Sequence, residues 1–117
     1  MRVQSSALMV LLVALSLALA GCRTLPPSKP PAQWTAQEAR GAQVFAQKCA
    51  RCHSANTTHT LKGPGLQAIT KVGAPPFAAP LSDQRILELL QYGRHNMPAA
   101  ELNASQRNDL MSYLHSL

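Results

Sequence analysis

Cys49-Ala50-Arg51-Cys52-His53 is the stretch whose residue types and spacing can do chemistry. Its pattern, C-x-x-C-H, is the spacing of covalent c-type haem attachment. Two thiols three positions apart on a helical turn project to one side, where each can add to a vinyl group of the macrocycle. The histidine directly after the second thiol then offers an imidazole nitrogen as an axial iron ligand. Two other chemistries fit the same residues. A thioredoxin-like dithiol is expected near a βαβ pattern, and none is visible. A zinc site needs two more ligands; His53 and His59 are candidates, but there is no second cysteine pair.

The elements that must position this motif fit in one small domain. The chain has 117 residues, and much of its apolar content lies in the first twenty, so the core left for the remainder is modest. Domains of this size often need a disulfide, metal or cofactor to complete the core. A haem would be both reagent and core filler. The net charge of +6 favours acidic partners or anionic surfaces. No compact basic cluster of the kind used for nucleic acid is present, and no long apolar surface argues for an obligate dimer, so a monomer is expected.

The amino end reads as an export signal over residues 1–21. Arg2 supplies the positive end, and Ala7 to Ala20 is apolar apart from Ser16. The run is too short for a comfortable membrane-spanning helix. It closes on Leu19-Ala20-Gly21-Cys22, which resembles the bacterial lipoprotein signal, in which the cysteine becomes the lipidated first residue. Cys22 would then carry the acyl groups and hold the protein on the periplasmic side of a bacterial membrane. Ordinary secretion competes, because Ala18-Leu19-Ala20 also fits an A-x-A cleavage site. The 3 cysteines divide without remainder into two for haem and one for lipid. Residues 23–34, rich in proline, read as a tether. Polyproline geometry at about 3.1 Å per residue would let these twelve residues reach roughly 37 Å.

From residue 35 the pattern is helical. Thr35-Ala36-Gln37-Glu38 is a capping box opening a helix through Lys48. Gly41, Phe45, Cys49 and Cys52 share one face of it. Gly41 inside a helix costs about 1 kcal/mol relative to alanine, so a close helix approach is expected there. Residues 54–81 read mostly as loop, broken at Gly63-Pro64-Gly65-Leu66 and Ala74-Pro75-Pro76, with room for a short helix around Gln67–Lys71. A loop this long is unusual in a compact domain unless it wraps a cofactor. Ser82 caps a helix from Asp83 to about Tyr92, with Ile86, Leu89, Leu90 and Gly93 as its stripe. Arg94-His95-Asn96-Met97-Pro98 follows as a loop. Asn103 caps a last helix carrying Leu110, Tyr113, Leu114 and Leu117. No strands are expected, and the fold class is all-α.

Residues 35–117 resemble a small bacterial class I cytochrome c, with three to four helices around one haem. Cys49 and Cys52 match the thioether positions, His53 the proximal ligand, and Met97-Pro98 the distal ligand loop. Gly63-Pro64-Gly65-Leu66 resembles the segment whose proline carbonyl accepts the histidine's other N–H, a role that would fall to Pro64. Gly41, Phe45 and Tyr113 or Leu114 match the crossing of first and last helices. The segment from Leu66 to Leu81 departs from the pattern, being rich in proline and alanine with little of the usual middle helix.

The resemblance implies an electron carrier rather than an enzyme. Methionines are usually packing residues. Met97 is set apart by its place on a loop between two helices, whereas Met111 sits beside an apolar stripe. His95, His59 and His115 are the rival ligands. His/Met ligation fills both axial positions and raises the reduction potential, which suits one-electron transfer between redox proteins such as a dehydrogenase, reductase or oxidase. An open iron site would instead serve a gas sensor or small peroxidase. A dedicated subunit of a dehydrogenase or oxidase complex is a third reading.

Overall fold

The computed structural model describes residues 24–73 and 79–117. The expected leader, Cys22 and the Ala74-Pro75-Pro76 break lie outside the described residues. Among the described residues there are three α-helices: α1, Ala36–Lys48; α2, Asp83–Tyr92; and α3, Ala104–Ser116. One 3-10 turn among them, Pro31–Gln33, precedes α1. Among the described residues there are two isolated bridges and no strands.

Each helix begins where its side chains satisfy orphan backbone N–H groups. Thr35 and Glu38 close a reciprocal capping box on α1, and Asn103 and Gln106 close another on α3. Ser82 accepts from the Arg85 N–H to start α2. At the other end of α2, Gly93 adopts φ +69, a conformation glycine enters without a side-chain clash.

The frame is the crossing of α1 with α3. A Cβ on Gly41 would collide with the Asp109 carbonyl and lie 2.7 Å from Tyr113 Cβ. The missing side chain is what lets the two backbones approach. Phe45 meets the Tyr113 ring at a centroid distance of 5.5 Å. Beside them the Arg40 guanidinium donates two hydrogen bonds to the Asp109 carboxylate, at 2.9 and 3.1 Å. Val44, Ile86, Leu90, Leu102, Leu110, Leu114 and Leu117 complete the core cluster.

Two segments differ from the sequence reading. Residues 67–72 form consecutive turns, tied by Lys71 N–H and Val72 N–H to the Ala68 carbonyl at 2.9 and 2.8 Å, and not a helix. Ala68 takes φ +56, which breaks the helical path. The proline-rich segment is also no free spacer in its described part. Gln67 Nε2 donates to Pro26 O at 3.1 Å, and the Lys29 N–H donates to Ser116 O at 2.7 Å. Lys29 Nζ pairs with Glu38 at 2.8 Å, holding that carboxyl below its ordinary range. Trp34 donates its indole N–H to Lys29 O and sets its ring edge-on to Tyr113 at 5.4 Å. Residues 26–34 are thus a strap laid over the ends of α1 and α3.

Candidate haem site

The motif sits where α1 unwinds. Cys49 is the C-cap, its N–H donating to Phe45 O at 2.8 Å. The N–H groups of Cys52 and His53 both donate to Cys49 O at 3.0 Å. The cysteine-to-histidine stretch is therefore one closed turn appended to a helix that the core already fixes. Cys49, Cys52 and His53 are each half-buried.

His53 is held on two sides. Its Nδ1 lies 2.8 Å from the carbonyl oxygen of Pro64. A carbonyl has no proton to give, so Nδ1 carries the hydrogen and the neutral ring leaves a lone pair on Nε2, the form that binds metal. Below the ring is Gly63, where a Cβ would strike Cε1 and come within 2.9 Å of Nδ1. The loop carrying both residues is pinned to the motif by Gly63 N–H to Cys52 O and Leu66 N–H to Ser54 O, each 2.8 Å. Such outer contacts orient a ligating histidine and raise its basicity.

Met97 is half-buried against the main core cluster, which Cys49 and Leu66 also pack upon. Its backbone closes a four-residue turn: Arg94 N–H donates to Met97 O and Met97 N–H to Arg94 O, both at 2.9 Å. His95 holds φ +51 at the apex, and Ala100 N–H returns the chain to Leu90 O at 2.7 Å. The rival histidines lie at the surface. His59 and His95 are exposed, and His115 is bonded to Asp83 at 2.8 Å. Met111 is half-buried within α3.

The two competing chemistries lack support in this geometry. Burial, with the neighbouring Cys52 second, pushes the Cys49 thiol up to about 11. A redox-active dithiol has the opposite shift. For zinc, no group of three or more His, Cys, Asp or Glu side chains able to hold a metal is found among the described residues. The residues present do fit a haem: paired thiols on one turn, a histidine presented through Nε2, and a half-buried thioether on a closed loop.

An all-helical fold with a C-x-x-C-H turn at the end of its first helix defines a small c-type cytochrome, a haem-based electron-transfer protein. The chain matches the family model of cytochrome c oxidase, cbb3-type, subunit III, over residues 36–114, and belongs to that family. No match was found among curated proteins or among solved structures.

The cysteines, His53 and Met97 stood out in the sequence by type and spacing. Gly63 was visible only as half of a Gly-Pro-Gly break; its contact with the imidazole was not. The return bond from Ala100 to Leu90, which fixes the far side of the methionine loop, left no sequence signal.

Proposed function

We propose that this chain carries one haem c bound covalently through Cys49 and Cys52, with His53 and Met97 as axial ligands. Its work is to pass single electrons between membrane or exported redox partners. The haem supplies a one-electron iron couple. The chain's own residues hold it, exclude water from it, and keep its ligands from exchanging. The observation that carries this reading is the His53 Nδ1 hydrogen bond to Pro64 O, which leaves the Nε2 lone pair available to a metal. Met97 as the second ligand is supported by its closed loop and by the surface positions of the other histidines. With His53 and Met97 both held to it, a bound haem iron could change charge by one electron without needing to take or release a ligand.

The anchor belongs to the same proposal. Residues 1–21 act as a lipoprotein-type signal, and Cys22 carries the lipid that holds the domain on the periplasmic face of a bacterial membrane. Dual acylation gives stable anchoring where one chain gives marginal binding.

The test is the absorption spectrum of the mature protein, ferric and ferrous, from a host that can mature c-type cytochromes. A low-spin ferrous spectrum that ignores carbon monoxide is expected. A prompt spectral change would mean an open or labile site, and the gas-sensor or small-peroxidase reading would replace electron transfer.

The family match favours one refinement, an oxidase complex as the partner, with this chain as its electron-delivering subunit. Co-purification with an oxidase from a mild detergent extract would establish it. Isolation as a lone monomer would return the protein to the role of a mobile carrier.

A further inference from the structure

The strap has a consequence for how the domain meets the membrane, and it rests on the reading of Cys22 as the lipid site. We infer that the cytochrome domain is seated on an anionic lipid surface in one orientation, with the 67–72 turn facing the headgroups, and does not swing on a long leash. The chain is fixed to the domain from Pro26 onward, by Gln67, by the carbonyl of Ser116 and by Glu38. Ser28 turns its hydroxyl into the contact, where it is buried. In sequence, Cys22 is four steps before Pro26. Four extended residues span at most about 14 Å, against roughly 37 Å for a free twelve-residue spacer. A leash that short keeps the point of exit close to the headgroups.

The point of exit selects the face. Pro26 is bonded to Gln67; on the same turn Val72 is 38% exposed, and Lys71 is exposed while its Nζ donates one hydrogen bond to the Leu117 carbonyl oxygen at 2.7 Å. Val72 is one of four large hydrophobic side chains exposed in the described structure. The Lys71 ammonium keeps its charge and two further N–H donors, and beside an exposed apolar side chain it suits an anionic interface, where lysines attract acidic headgroups. Arg23, next to the lipid cysteine in sequence, adds a second positive charge. The strap also bears on the haem motif. Glu38 in the first turn of α1 takes the Lys29 ion pair, and Cys49 caps the other end of the same helix. Eleven residues of helix place these points about 16 Å apart along one rigid axis, so seating the strap side of the domain on the lipid would also set the tilt of the helix end that carries the haem motif.

Linear dichroism of the haem Soret band, read on oriented bilayers of phosphatidylcholine with phosphatidylglycerol, tests this with the mature, haem-loaded full chain. The wild type should show a definite dichroism. A Gly/Ser insertion of roughly ten residues between Leu25 and Pro26 keeps every strap contact but restores a long leash; it should lose most of the signal. Phosphatidylcholine alone should weaken the wild-type signal, and equal signals on the two bilayers would overturn the choice of an anionic surface. Protein bound to the bilayer with no dichroism, or with the same dichroism after the insertion, would overturn fixed seating while leaving the anchor intact. Protein that does not bind the bilayer, and behaves as Cys22→Ser does, would overturn the anchor and this inference together.

Discussion

Gly63 lies so close to the Cε1 end of the His53 imidazole that a single added methyl would strike the ring. The contact sets the ring's position while Pro64 sets its rotation. Gly63→Ala should displace the imidazole or push the loop away, an overpacking cost of about 1–3 kcal/mol. Haem-loaded Gly63→Ala should melt earlier than the wild type and show a weakened low-spin spectrum. An unchanged melting curve and spectrum would show that the loop yields freely.

Met97 and Met111 make a controlled pair. Met97→Ala should admit carbon monoxide to the ferrous protein, whereas Met111→Ala should cost stability and leave the spectrum alone, because its side chain packs on the core from α3. Carbon monoxide binding in the second variant and not the first would reverse the assignment.

Loss of a covalent link should cost more than loss of a ligand. Cys52→Ala removes one attachment of the group that fills the core, and Met97→Ala only opens a coordination position. The yield of haem-loaded protein should therefore fall further for Cys52→Ala. Comparable yields from the two would contradict this.

At the helix crossing, Arg40→Ala leaves the Asp109 carboxylate without its two donors. Asp109 is only 6% exposed. A buried acceptor stripped of its partner costs about 1–3 kcal/mol, measurable as a lowered denaturation midpoint. Gly41→Ala should be worse, although alanine gains about 1 kcal/mol of helix propensity, since the added carbon has no room against α3.

The strap should be sensitive to acid. Lys29 holds the Glu38 carboxyl below its ordinary 4.5, with the Thr35 backbone N–H helping. A carboxyl lowered on folding adds stability above its unfolded value, and loses it as pH falls through the folded one. Strap contacts should be intact above pH 4.5 and weaken below it. Glu38 is half-buried but its partner Lys29 reaches solvent, so the effect is small and partly screened by salt. The protection factor of the Lys29 amide, whose N–H is bonded to Ser116 O, should fall in that window for the wild type once the intrinsic pH dependence of exchange is divided out; in Glu38→Gln it should already be lower at neutral pH. A protection factor that does not change with acid would show that the ion pair does not hold the strap.

The sequence by itself determined whatever is written in short-range chemistry. The capping residues Thr35, Ser82 and Asn103 start their helices because each acts on an N–H three residues ahead. Gly41 announced a close approach through its cost to the helix. The C-x-x-C-H turn and the methionine between two helices are likewise local patterns. Tertiary structure decided the rest, because it depends on pairs that no periodicity relates. Arg40 meets Asp109 across 69 positions, and Gln67 meets Pro26 across 41. The prolines of residues 26–31 specify an extended backbone, and extension alone does not say whether a segment stands free or lies down. The carbonyl of Ser116, the carboxylate of Glu38 and the ring of Tyr113 decide that it lies down.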